Sequence, residues 1–170
     1  MGSSVRGRLL EVMAMKDEIT PIRKEEILTE VGGLVDESRA TLALYGDDLD
    51  PDGVSKMLGC APSHAHRKGD RRGGTAVPFS SGAWLLTVET KAPKGPDAAI
   101  ATLLARFPET PEFWRPVLDK FSVSIRVGIH TCGWNRGFGL PADIVARVGR
   151  IGVPIDFDLY LYGDESDGGV

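Results

Sequence analysis

From Phe121 to Ile129 every second residue is apolar: Val123, Ile125, Val127 and Ile129 alternate with Ser124, Arg126, Gly128 and His130. A period of two sends neighbouring side chains to opposite faces of an extended chain, so this segment predicts a strand with one buried and one wet face. The same period recurs in Val153–Tyr162, where Ile155, Phe157, Leu159 and Leu161 alternate with Asp156, Asp158, Tyr160 and Tyr162. Shorter versions occur over Ala83–Thr90, with Trp84, Leu86 and Val88 on one side, and over Thr41–Tyr45, with Leu42 and Leu44. Four strands are expected.

Between them the period lengthens. Ile100, Leu103, Leu104 and Phe107 fit the i, i+3, i+4, i+7 template of a helix that buries one face, with Asp97 as its expected cap. Asp50 is placed to cap a second helix opened by Pro51, carrying Val54, Met57 and Leu58 inward and stopping at Gly59. A third follows Thr110-Pro111 with Phe113, Trp114, Val117 and Leu118, limited or bent by Pro116. A fourth, after Pro141, presents Ile144, Val145, Val148 and Ile151 and ends at Gly152. Residues 51–59 and 141–149 align without gaps from Pro to Gly, a faint echo that suggests two strand–helix halves. Thr20-Pro21 up to Gly32-Gly33 predicts one more short helix, and Leu9, Leu10, Val12 and Met13 fit strand or helix equally. Residues 60–82 read as a long connection. The expected organisation is an N-terminal extension over 1–36, one domain over 37–163 and an acidic tail over 164–170. Strands with a single wet face call for helices on one side only. The fold class is therefore α+β: a two-layer sandwich of about four mainly antiparallel strands with helices on one face.

Some of this punctuation has a familial look. Leu49-Asp50-Pro51 after a strand, Leu58-Gly59 closing a helix, Pro62, Lys68-Gly69-Asp70, Trp84 on a strand and a final alternating strand to Tyr160 stand in that order. Together they resemble the bacterial domain of unknown function 4279, over roughly residues 40–163. The resemblance implies a small α+β domain with no established activity, and it supplies no catalytic residues.

Composition narrows the classes further. The chain has 170 residues with 21 Gly and 11 Pro, many turns for its length, which argues against long helical bundles. A net charge of −4 argues against a general nucleic-acid coat. No run approaches the ~18 apolar residues of a membrane span, and the N-terminus lacks the apolar stretch of a signal peptide. The two cysteines then read as reduced thiols, and the expected location is the cytoplasm.

The sharpest chemical candidate is a metal site. Cys60-x3-His64-x-His66 and His130-x-Cys132 hold both cysteines and all three histidines, and zinc takes four such ligands. Neither a CxxC nor an HExxH pattern is present, so packing cysteines and surface histidines are the preferred reading and no cofactor is expected. Asp48-x-Asp50-x-Asp52-Gly53 copies half of a calcium loop, but Gly59 stands where the bidentate Glu belongs, so helix capping explains the acids better. No nucleophile elbow and no phosphate loop occur.

Two surfaces remain. The basic stretch Arg67, Lys68, Arg71 and Arg72 can hold an anion or an acidic partner. The wet sheet face should gather Tyr45, Arg126, His130, Asp156, Asp158 and Tyr160, with Trp134 and Arg136 on the Gly-rich turn as further contacts. The two aspartates disfavour nucleic acid there. The leading expectation is a non-enzymatic protein-interaction module of the immunity or accessory type. The alternative is a small metal- or ligand-binding enzyme using the Cys/His clusters and the basic loop.

Charge placement says more than the total. Residues 36–52 carry six acids against one base, residues 60–74 carry four bases against one acid, and residues 153–170 carry five acids and no base.

Overall fold

The structure, a computed structural model, describes residues 33–71, 73, 77–133 and 135–162. In chain order the elements are β1 (Glu37–Gly46), α1 (Pro51–Leu58), β2 (His64–His66), β3 (Gly82–Lys91), α2 (Pro96–Leu104), α3 (Pro111–Leu118), β4 (Ser122–Cys132), α4 (Ala142–Ile151) and β5 (Ile155–Tyr162). They form a five-stranded sheet in the order β2-β3-β1-β4-β5. The first three neighbouring pairs are antiparallel and β4-β5 is parallel, joined through α4. The fold is the expected α+β class, a mixed and mostly antiparallel sheet with four helices packed against it.

Alternation decides which residues enter the core. On the helix side Leu42, Leu44, Trp84, Leu86, Val123, Ile125, Val127 and Ile129 are buried, and they meet Val54, Leu58, Ile100, Leu103, Trp114, Val117, Ile144, Val148 and Ile151 from the helices. Each fully buried Val, Leu or Ile contributes about 1.5–3 kcal/mol. Both buried tryptophans also place their polar tips. Trp84 Nε1 donates to Ser55 Oγ at 3.0 Å, and Trp114 Nε1 donates to the Pro108 carbonyl at 2.8 Å. An indole nitrogen without such a partner would forfeit much of what the ring's burial provides.

α1 follows its sequence signals closely. Asp50 Oδ2 accepts from Gly53 N at 3.0 Å, Pro51 opens the helix, and Gly59 closes it in the left-handed region at φ 73°. Gly82 sits against the turn before α1, where a Cβ would meet the Leu49 carbonyl oxygen at 2.9 Å and that of Gly46 at 3.0 Å.

Several expectations change. Asp97 does not cap α2: Gly95 holds that position, because Pro96 takes the first helical place and its preset φ moves the start upstream. α2 ends at Leu104, and Phe107 reaches the core from the turn beyond it. The echo between 51–59 and 141–149 fails structurally. Gly59 ends α1, whereas Gly149 lies inside α4, which runs to Ile151 and ends at Gly152. β1 starts four residues before Thr41 because the antiparallel ladders with β3 and β4 extend it, and β4 runs three beyond Ile129 because its parallel ladder with β5 continues to Cys132. The connection over 60–82 contains a fifth strand, β2, of three residues. Val35 is buried, and Asp36 Oδ2 accepts from Cys132 N at 2.6 Å, so the residues just before β1 pack with the domain.

The largest change concerns β5. Its row of Ile155, Phe157, Leu159 and Leu161 does face the helix side, in register with Ile125, Val127, Ile129 and Thr131. It is nevertheless left open: Leu159 is 60% and Leu161 70% exposed. Alternation located the face, but β5 lies at the sheet edge, where the described helices do not cover it. The helix expected over 20–32 lies outside the described residues.

Candidate functional site

The face of the sheet away from the helices carries the polar half of every alternation. The register places Tyr45, Ala43, Thr41, Arg39 and Glu37 of β1 beside Ala83, Leu85, Thr87, Glu89 and Lys91 of β3, and beside Ser122, Ser124, Arg126, Gly128 and His130 of β4. Asp156, Asp158, Tyr160 and Tyr162 continue the same rows on β5. The residues expected on the wet face are therefore together.

Their contacts form two groups. His130 stacks on Tyr160 with ring centres 4.6 Å apart and planes 8° apart, and on Tyr162 at 6.0 Å, while its Nδ1 lies 3.1 Å from the Tyr162 hydroxyl. The missing side chain at Gly128 leaves room for the Tyr160 ring, which passes 3.6 Å from where a Cβ would stand. Arg126 donates to the Tyr45 hydroxyl at 3.3 Å, and its guanidinium carbon stands 5.3 Å from the Tyr45 ring centre. Farther along, Arg39 bridges Glu37 at 2.8 Å and Glu89 at 3.3 Å. The Arg39 hydrogen bond holds the Glu37 carboxyl below its ordinary range. Asp156 and Asp158 are exposed and form no ion pair with another described residue.

The basic loop meets the acidic turn. Arg67 bridges Asp50, closely, and Asp52 at 3.0 Å, and Lys68 bridges Asp47 at 2.5 Å. Arg67 thereby depresses the Asp50 carboxyl, and the two acids raise the guanidinium of Arg67 in return. These are exposed pairs, screened by solvent, and their contribution to stability is small. They do occupy two of the four cations expected to bind a ligand. Arg71 lines a cleft of about 660 Å³ with His64, His66, Asp70, Phe79 and Leu85. His66 stacks on Phe79 at 3.5 Å, its Nδ1 is buried without a hydrogen-bond partner among the described residues, and burial together with His64 lowers its pKa.

The two Cys/His clusters do not converge. His64 and His66 stand on β2, and His130 and Cys132 on β4, with β3 and β1 between them. At ~4.8 Å per strand that is a separation of about 14 Å, far beyond a shared metal ion. Cys60 packs against the core, where burial pushes its thiol up. Among the described residues no group of three His, Cys, Asp or Glu is arranged to hold a metal. Arg136 acts on its own turn: its Nε donates to the Cys132 carbonyl at 3.0 Å, and its guanidinium lies over Gly33. Arg72 and Trp134 lie outside the described residues.

Sequence reasoning missed Tyr162 as a partner of His130, and Phe79 as the floor beneath His66. The pairing of acidic turn with basic loop had a signal, since segments of opposite excess charge lie only about 20 residues apart. No helix among the described residues is long and apolar enough to cross a membrane.

No curated protein and no solved structure gives a significant match to the chain. The family profile described as "Domain of unknown function (DUF4279)" matches residues 36–162. That span runs from the residue before β1 to the last residue of β5 and contains every element of the sheet. The chain belongs to the DUF4279 family.

Proposed function

We propose that this domain is a non-enzymatic protein-interaction module, of the immunity or accessory type, which engages its partner through the open face of the sheet. The observation that carries this reading is the one-sided helix layer. It leaves Tyr45, Arg126, His130 and Tyr160 side by side on a rigid surface, beside two aspartates without an ion pair among the described residues. Tyr and Arg dominate the energetics of protein interfaces, and side chains held by a sheet lose little further freedom on binding. Four long strands of ~10 residues present a face of roughly 600 Å², close to the ~800 Å² per partner of a standard interface. Asp156 and Asp158 disfavour a phosphate backbone on this face, so a protein surface of mixed charge is the matching partner. Two free thiols, Cys60 and Cys132, fit a reducing compartment such as the cytoplasm.

A second reading, a small-ligand site, rests on the cleft where His66 keeps a buried nitrogen, unpartnered among the described residues, beside Arg71. One experiment separates the two. A partner recovered with the full chain from its native host should bind Arg126→Ala at least tenfold more weakly and leave Arg71→Ala unchanged. The opposite pattern selects the cleft, and recovery of no partner removes the interaction reading.

A further inference from the structure

Leu85 breaks the pattern of its own strand face. The outward rows of β1, β3 and β4 hold polar, small or aromatic residues, and Leu85 is the one large aliphatic side chain among them. It stands opposite His64 of β2 and lines the cleft of about 660 Å³ with His66, Asp70, Arg71 and Phe79. A cleft of that size lies within the range of about 300–1,000 Å³ that holds small molecules, and such sites pair an apolar floor with a few polar groups. A short ladder builds the opposite wall. Gly69 N donates to the Phe79 carbonyl at 2.9 Å, Phe79 N donates to the Asp70 carbonyl at 2.9 Å, and Arg71 pairs antiparallel with Pro78. Backbone hydrogen bonds hold this wall, so its side chains are left for other contacts.

The side chains around the cleft divide into spent and unspent groups. His66 lies face to face with Phe79 and shapes the floor. Asp70 is engaged at its own turn, where its Oδ2 accepts from Arg67 N at 2.7 Å. Arg67 and Lys68 are bound to the acidic turn. The Arg71 guanidinium forms no ion pair among the described residues, and the His64 ring touches only the ring of His66, at 5.6 Å between centres. One cation and one imidazole therefore remain as donors beside an aliphatic floor and an aromatic wall.

We propose that this cleft binds a small aromatic monocarboxylate, its carboxylate on Arg71 and His64 and its ring over Leu85 against Phe79. The inference rests on the second reading above, that the cleft is a ligand site, and assigns the class of ligand. A guanidinium matches a carboxylate through two parallel hydrogen bonds, which fixes the acid end. A single guanidinium with a carboxylate nearby suits one negative charge better than the two of a phosphate monoester. A flat body fits because the rings of Phe79 and His64 offer faces and edges, and a planar ring gains contact there without losing internal freedom.

The test is calorimetric titration of the full chain at neutral pH with four probes: 2-naphthoate, 2-naphthamide, 2-(aminomethyl)naphthalene and 2-naphthyl phosphate. 2-Naphthoate should bind one per chain with a Kd below about 1 mM, and the other three at least tenfold more weakly. Arg71→Gln should weaken 2-naphthoate at least tenfold with an unchanged far-ultraviolet circular dichroism spectrum, and Leu85→Thr at least threefold. Arg115→Gln, which removes a cation from α3, should bind as the wild type does. An amide, amine or phosphate that binds as tightly as the acid, with Leu85→Thr still weakening it, keeps the cleft as a ligand site and overturns the class proposed for it. Failure of all four probes to bind at millimolar concentration overturns the cleft reading and the proposal together. Binding of 2-naphthoate that Arg71→Gln leaves unchanged overturns the proposal as well.

Discussion

The two edges of the sheet are built on opposite principles. β2 offers three residues, two of them histidines, and is followed at once by Arg67 and Lys68. Its flank is tied down: Ser63 N donates to the Leu85 carbonyl at 2.8 Å, and Ser63 Oγ accepts from Thr87 N at 3.0 Å. The loop after it is held on the acidic turn by three ion pairs. β5 offers eight residues, none of them buried, with apolar side chains on one face and tyrosines on the other. One edge is closed by brevity and ion pairs, and the other is long and, among the described residues, uncovered. Where a partner strand can be added is thus set by edge chemistry as much as by the hydrophobic core.

The comparison can be broken most forcefully on the β2 side, through the residue that anchors it. Trp84 lies opposite Ala65 of β2, is fully buried, and donates to Ser55 of α1. Trp84→Ala should cost about 3–5 kcal/mol in urea unfolding, since it removes a large core side chain and leaves a cavity. A loss below 1 kcal/mol would mean that the β2 edge is not tied to the core through this residue.

Gly82→Ala tests the same side by overfilling it. The added carbon would meet two carbonyl oxygens of the turn between β1 and α1, neither of which can rotate away. A loss of about 1–3 kcal/mol is expected from the same unfolding experiment. A neutral result would show that this turn yields.

Acid should loosen the β2 edge while leaving β5 untouched. Burial, with His64 beside it, holds His66 below its ordinary value against a smaller opposing pull from Asp70. The unfolded chain therefore takes up the proton first, near pH ~6.5. The stability from neutral His66 is fully present above that pH and is lost as pH falls through the lower folded value. The His66 ring should titrate below 6.5 by NMR, and the melting temperature should fall from pH 7 to pH 5 less in His66→Gln than in the wild type. A midpoint above 6.5 would contradict the burial argument.

The smallest effect is expected at β5 itself. Leu159→Ala removes a side chain already 60% exposed, so the stability of the isolated chain should change by less than about 0.5 kcal/mol. A loss of 2 kcal/mol there would mean that Leu159 is covered within one chain.

Much of the fold was legible along the sequence, and the parts that were not share a cause. β4 announced itself because it lies in the sheet interior under the helix layer, so its alternation translates directly into burial. β5 has the same alternation, yet its apolar row is exposed, because periodicity reports which face a residue shares and not whether anything lies over that face. β2 was invisible because three residues carry no period at all. Asp97 has the look of a cap because an acid beside a proline reads the same whether it precedes the helix or sits in its first turn. The wet face of Tyr45, Arg126, His130 and Tyr160 was readable, since alternation alone assembles it once the strands are adjacent. The fate of Arg67 and Lys68 was not, since an ion pair across a turn depends on where two loops end in space.

By itself the sequence determined four of the five strands and the four described helices, the side of each of those strands that turns inward, and the helix boundaries set by Asp50, Pro51, Gly59 and Gly152. Those outcomes rest on interactions within a few residues, where side-chain period and backbone restriction act without tertiary help. Only the tertiary structure decided the strand order, the neutralisation of the basic loop by the acidic turn, the separation of the two Cys/His clusters and the exposure of β5. Each of those depends on which segments become neighbours, and that is fixed by burying the whole core at once.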